Sequence, residues 1–228
     1  VDAEYSFDKT TFTLVHQGNR YDVETNLVAK FNLSNLLAAI AALHQSGMEI
    51  NDIIEKVNHL KQISGRVERI NFADQFQVIV DYAHTPDGLF QYAQSSVIDK
   101  LIISVFGSAG ERDILKRKVL GEIANKYSDM IILTADDPRN ESVNDISKEI
   151  ADGIDKNYII IENRYDAIYQ AIQLANKCDI ILVLGKGNDQ YMALESGREP
   201  YIGDVNIVKE ILKEYEQVEK RDNHEQIY

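Results

Sequence analysis

From Val67 onward, short uninterrupted apolar runs alternate with longer stretches of helical periodicity, and this alternation restricts the fold more than any other feature of the chain. Residues 78–82, 101–106, 130–133, 158–161 and 180–184 read as strands that are apolar on both faces. A strand with no polar face has to be covered on both sides, which points to a mostly parallel sheet in its interior position. The stretches between, 87–98, 112–126, 143–154 and 164–176, carry the spacing of amphipathic helices that supply the cover. The expected class is therefore α/β, a mostly parallel sheet covered on both faces, closed by a last helix over about 205–218 and a charged tail.

The pattern before Val67 is different. Residues 3–7, 11–16 and 21–25 read as three short strands, the last two separated by the turn Gln17-Gly18-Asn19. From Asn32, the residues Leu33, Leu36, Leu37, Ile40 and Leu43 recur at helical spacing, and a second helix is expected over 51–60 before the break at Gly65. The chain thus divides into a small α+β segment, 1–65, and an α/β domain, 66–228.

Bulk properties remove some functions. With 37 acidic against 24 basic residues the net charge is −13, which opposes a broad electrostatic grip on nucleic acid or on an anionic membrane. No apolar run approaches the roughly 20 residues of a membrane-spanning helix. Cys178 is the single cysteine, so no disulfide forms within the chain, and a reducing cytoplasm fits best. The chain opens on Val1, directly in a strand-like run, which suggests a cut within a longer protein.

In an open parallel sheet, ligands collect beyond the carboxyl ends of the strands. Four polar loops follow strands here: Asp81-Tyr82-Ala83-His84-Thr85-Pro86-Asp87, Gly107 to Asp113, Asp136-Asp137-Pro138-Arg139, and Gly185-Lys186-Gly187-Asn188-Asp189. Acids and guanidinium groups gathered on one edge describe a site for a charged, zwitterionic ligand. Arg112 and Arg139 suit it, because a guanidinium makes two parallel hydrogen bonds to a carboxylate or phosphate and stays charged. Structural readings stay open beside these: Asp87 and Asp113 as helix-start charges, Asp136 and Asp137 as an ordinary turn, the arginines as surface ion pairs, His84 as a packed residue instead of a base or nucleotide contact. His16, His44, His59 and His224 show no metal-ligand spacing, so no protein-held metal centre is expected.

These residues carry a resemblance. Lys30-Phe31-Asn32-Leu33-Ser34-Asn35-Leu36-Leu37-Ala38-Ala39 resembles the segment that ends the central ATPase domain of the Mur ligases, and Gly65-Arg66-Val67-Glu68 resembles the Gly-Arg-x-Glu hinge after it. The runs at 81–88 (DYAHTPDG) and 110–113 (GERD) are similar to the branch that adds a diamino acid, MurE, and the likeness extends to Lys209. It implies an ATP-dependent, cytoplasmic acid-amino-acid ligase of peptidoglycan synthesis. Its substrates would be UDP-N-acetylmuramoyl-L-alanyl-D-glutamate and meso-diaminopimelate or L-lysine, joined through an acyl phosphate. By the same resemblance Asn32 and Asn35 would lie at adenine, Arg66 and Asp81 at ribose or phosphate, and His84 close by. Arg112, Asp136, Asp137, Arg139, Gly185 and Asp189 would surround the added amino acid. Mg2+ would accompany ATP, with its ligands mostly outside this chain.

The chain also departs from the family pattern. No Gly-x-x-Gly-Lys-Thr/Ser phosphate loop occurs in the 228 residues, nor the family's UDP-binding domain, so this polypeptide by itself is expected neither to hydrolyse ATP nor to form a peptide bond. Asp136-Asp137-Pro138-Arg139 stands where diaminopimelate-adding members read Asp-Asn-Pro-Arg, and Gly-Lys-Gly-Asn-Asp where they read Gly-Lys-Gly-His-Glu. Arg139 favours a side chain ending in a carboxylate, hence diaminopimelate; Asp137 and Asp189 would suit the plain ammonium of lysine. The rivals are another ligase of the superfamily, such as a folylpolyglutamate synthase, and a non-catalytic Rossmann-like binding module. A dinucleotide-dependent oxidoreductase fits poorly, because 107–113 lacks Gly-x-Gly-x-x-Gly spacing.

Overall fold

The computed structural model describes residues 2–6, 9–72, 75–82 and 101–225, with side chains as far as Tyr215. His84, Asp87 and the helix expected over 87–98 lie outside the described residues. Two compact units emerge, one ending at Ile63 and the other beginning at Ser64.

In the first unit, β1 (Asp2–Tyr5), β2 (Thr10–His16) and β3 (Asn19–Thr25) form an antiparallel sheet in that order. Gln17 and Gly18 both take positive φ, 48° and 83°, the backbone that a two-residue hairpin turn requires. Helices α1 (Lys30–Gln45) and α2 (Ile50–Asn58) follow, and Phe12 and Val23 from the sheet pack with Leu33, Leu36, Ile40, Ile53 and Val57.

The second unit is built on a six-stranded sheet. Its strands are β4 (Glu68–Phe72), β5 (Phe76–Asp81), β6 (Ile102–Phe106), β7 (Met130–Leu133), β8 (Tyr158–Ile160) and β9 (Ile180–Leu184), in the order β4-β5-β9-β6-β7-β8. Only β4 runs antiparallel; the other four pairings are parallel. Helices α3 (Leu115–Tyr127), α4 (Val143–Ala151), α5 (Arg164–Leu174) and α6 (Asp204–Glu225) accompany the sheet, and the expected α/β class holds. Val78, Val80, Val105, Ile132, Ile181 and Val183 pack with Ile168, Ile172 and Val208 in one core.

Three details differ from the sequence reading. Strand β4 was not expected, because an edge strand that buries only Phe72 carries no continuous apolar run. A separate hairpin, β10 (Tyr191–Leu194) with β11 (Gly197–Pro200), was also missed, since Met192 is its one buried side chain. Helix α3 starts at Leu115 instead of 112, with no acidic residue in its first turn and no side-chain cap, so Arg112 and Asp113 belong to the preceding loop. Helices α4 and α5 do receive caps, from Ser142 onto the Asp145 amide and from Asn163 onto the amides of Tyr165 and Asp166. No helix among the described residues is long and apolar enough to cross a membrane.

Strand order decides where chemistry can gather. Strands β5, β9, β6 and β7 are neighbours running the same way, so their carboxyl ends, and the loops after them, share one edge.

Candidate functional site

At that edge the loops are fastened to one another through their backbones. Gly110 N donates to the Asp137 carbonyl at 2.9 Å, and Arg139 Nη1 returns a bond to the Gly110 carbonyl at 2.7 Å. A Cβ at Gly110 would lie 1.9 Å from the Pro138 carbonyl oxygen, so only glycine permits this approach. Asp137 and Arg139 both occupy the left-handed region, with φ of 48° and 53°, at a cost of roughly 1–3 kcal/mol each. Contacts with β10 hold them there: Arg139 N donates to Ala193 O at 3.0 Å, and Ala193 N donates to Asp137 Oδ1 at 2.8 Å.

The result is a hollow of about 510 Å³ whose walls include Tyr82, Arg112, Lys116, Asp137, Arg139, Tyr191 and Arg198. Of the residues expected around an amino acid, Arg112, Asp137 and Arg139 line this hollow directly. Asp189 joins it through a residue that the sequence reading gave no role. Lys186, with 0% of its side chain exposed, donates to Asp137 Oδ1 at 2.8 Å and to Asp189 Oδ2 at 3.0 Å, and its ammonium lies 4.9 Å from the centre of the Tyr191 ring. Burial works to lower the Lys186 pKa, but the two carboxylates prevail and it is raised, so the ammonium stays charged. Asp136 and Gly185 are buried together: at Gly185, where φ is 116°, a Cβ would come within 2.4 Å of Asp136 Oδ2.

The residues expected at a nucleotide fall in two places. Asp81 is buried at the end of β5, and its Oδ2 accepts the Val67 amide at 2.7 Å. Tyr82 N donates to Gly65 O at 2.9 Å, and the exposed Arg66 guanidinium lies 4.7 Å from the Tyr82 ring centre. Glu68 accepts from Gly65 N at 2.9 Å and from Lys209 Nζ at 3.0 Å; burial raises its pKa, yet these bonds outweigh burial and leave it lowered. The segment Gly65 to Glu68 is thereby tied to β5 and α6. In the first unit, Asn32 is half-buried in the first turn of α1, donating to Val28 O at 2.8 Å, and Asn35 is exposed.

Residues 65–187 match the family described as Mur ligase, glutamate ligase domain. The chain belongs to the Mur ligase family. It is 39% identical over 210 residues to the UDP-N-acetylmuramoyl-L-alanyl-D-glutamate-2,6-diaminopimelate ligase 1 of Clostridium acetobutylicum, covering 90% of this chain and 43% of that protein. Against the UDP-N-acetylmuramyl-tripeptide synthetase of Borreliella burgdorferi it is 40% identical over 222 residues, covering 93% and 43%. A solved UDP-N-acetylmuramoyl-L-alanyl-D-glutamate-2,6-diaminopimelate ligase superposes with a TM-score of 0.66 at 32% identity, over 94% of this chain and 45% of that one. The chain therefore spans about 43% of the length of the curated relatives it matches.

Two buried arginines that sequence reasoning overlooked support the hollow of this Mur ligase chain. Arg164, on α5, makes a two-pronged pair with Asp204 at the start of α6, Nε to Oδ1 and Nη2 to Oδ2 both at 2.8 Å. It also donates to Ala135 O at 3.0 Å and Leu184 O at 2.8 Å, which joins the ends of β7 and β9 to that pair. Burial alone would lower its pKa; Asp204 raises it instead, and burial raises that of Tyr201, whose hydroxyl donates to the same carboxylate. Arg117, on α3, grips Glu141 through both Nη groups at 2.8 and 3.0 Å, reaches Glu149 at 2.8 Å and donates to Ala109 O at 3.3 Å, linking the loops after β6 and β7. A charged residue within a helical stretch reads as a solvated face, and nothing local marks these two as buried.

Proposed function

We propose that the hollow receives the incoming amino acid, meso-diaminopimelate, of an ATP-dependent ligase that extends UDP-N-acetylmuramoyl-L-alanyl-D-glutamate in cytoplasmic peptidoglycan synthesis. The observation that carries this reading is the convergence of Arg112 and Arg139 on one hollow beside Asp137, a set of opposite charges suited to a zwitterion. Arg139 spends Nη1 on the Gly110 carbonyl and keeps the other donors of its fork for a carboxylate. Asp137 is already occupied by Lys186 and the Ala193 amide, so it is not a surplus negative charge waiting for the plain ammonium of lysine. That balance favours the amino acid with the additional carboxylate. The name of the Clostridium acetobutylicum relative, 39% identical, supports this substrate.

In the proposed reaction, phosphoryl transfer from ATP activates the precursor's terminal carboxylate as an acyl phosphate. The amino nitrogen, having lost a proton, attacks the carbonyl carbon; the bond to the phosphate oxygen breaks and inorganic phosphate leaves. This chain's part is to bind the amino acid, satisfy its charges and aim its amine. Asn32, Asn35, Arg66, Asp81 and His84 are proposed on the nucleotide side, with residues 1–65 as the end of the ATP-binding domain and 66–228 as the amino-acid domain. Among the described residues no group of three or more His, Cys, Asp or Glu is arranged to hold a metal ion.

Titration calorimetry on the 228-residue chain tests this reading. Diaminopimelate should bind more tightly than lysine, and Arg139→Ala should narrow that preference, costing about tenfold or more in diaminopimelate affinity, the scale of a charge-assisted bond. Lysine binding as tight as, or tighter than, diaminopimelate would refute the substrate.

A further inference from the structure

We infer that Arg198, on the β10–β11 hairpin, is a specificity-determining residue that shares the distal carboxylate of the diamino acid with Arg139. The inference rests on the functional reading above and deepens it.

The hairpin is part of the same wall as the Asp136–Arg139 loop. Ala193 binds that loop through both backbone groups, its N–H to Asp137 Oδ1 and its C=O to the Arg139 amide. Asp137 N also donates to Met192 Sδ at 3.2 Å, and Leu194 forms a bridge with Arg139. Arg198 is the cross-strand partner of Ala193, so its register in β11 sets it one strand beyond the residue that fixes Asp137 and Arg139.

Its side chain is oriented without a carboxylate. The Arg198 guanidinium lies 4.5 Å from the centre of the Tyr191 ring, the ring that the Lys186 ammonium also approaches at 4.9 Å, and an aromatic face is a good seat for a guanidinium. Among the described residues Arg198 forms no ion pair, and β11 is exposed along its length. Arg198 and Arg139 nonetheless line one hollow. A carboxylate offers about four lone-pair sites, enough for two guanidinium groups. Diaminopimelate differs from lysine by that one distal carboxylate, so a second guanidinium there acts on selectivity and not on amino-acid binding in general.

The experiment is titration calorimetry of wild type, Arg198→Ala and Arg198→Lys with meso-diaminopimelate and with L-lysine, each variant first checked for an unchanged thermal midpoint. Arg198→Ala is expected to weaken diaminopimelate about tenfold while leaving lysine unchanged, with Arg198→Lys intermediate because it keeps the charge and loses the fork. An unchanged diaminopimelate affinity, or an equal loss for both amino acids, overturns the inference and leaves the proposed function standing. A wild-type chain that binds neither amino acid overturns the proposed function and this inference together.

Discussion

Arg164 and Arg139 both reach backbone carbonyls at the carboxyl edge of the sheet, but they divide their donors differently. Arg164 is 1% exposed and gives all its described bonds to the protein, two to Asp204 and one each to Ala135 and Leu184. Arg139 gives one side-chain bond, to Gly110, and faces the hollow. A guanidinium with its fork filled by protein fixes a frame, while one with donors to spare at a cavity is equipped to hold a ligand. Lys186 stands between the two cases, fully buried yet bonded to carboxylates that are 16% and 22% exposed.

The comparison breaks most readily at Asp204. Asp204→Ala strands the Arg164 charge in the interior and releases its hold on the ends of β7 and β9, so urea unfolding should show a loss of about 3–5 kcal/mol. A loss below about 1 kcal/mol would show that the buried pair is not the frame. Lys186→Met comes next: two carboxylates lose their shared ammonium, and a loss of about 2 kcal/mol is expected together with weaker diaminopimelate binding in calorimetry. Arg112→Ala should reverse the proportions, shifting stability by less than about 0.5 kcal/mol because the residue is exposed, while reducing diaminopimelate affinity about tenfold.

The smallest effect is on acid stability. Hydrogen bonds from Arg117, and from the Glu111 amide, hold the Glu141 pKa below the ordinary carboxylate value. A carboxyl depressed on folding contributes stability that is complete above its unfolded pKa and disappears as pH falls through its folded one. Glu141→Gln should therefore be less stable than wild type at neutral pH and lose less on acidification; parallel pH profiles of the unfolding midpoint would contradict this.

The same contrast explains what was legible in the sequence. Strands β5, β6, β7 and β9 were readable because burial on both faces leaves uninterrupted apolar runs, and their following loops located Arg112, Asp137 and Arg139 at one edge. Strand β4 and the β10–β11 hairpin were not, since mostly exposed strands need no apolar pattern. Arg164 and Arg117 were missed because they find partners 40 and 24 residues away, a distance at which no local spacing announces an ion pair, and Lys186 because its burial depends on Asp137, 49 residues away, as well as on the nearby Asp189.

Whether the loops after β6 and β7 and the β10–β11 hairpin form one receptacle for a diamino acid can be read from backbone amide resonances during titration with meso-diaminopimelate. Saturable shifts should concentrate at Gly110 to Arg112, at Asp137, Arg139 and Asn140, and at Ala193 to Arg198. Shifts confined to other parts of the chain, or none at millimolar ligand, would contradict a shared receptacle.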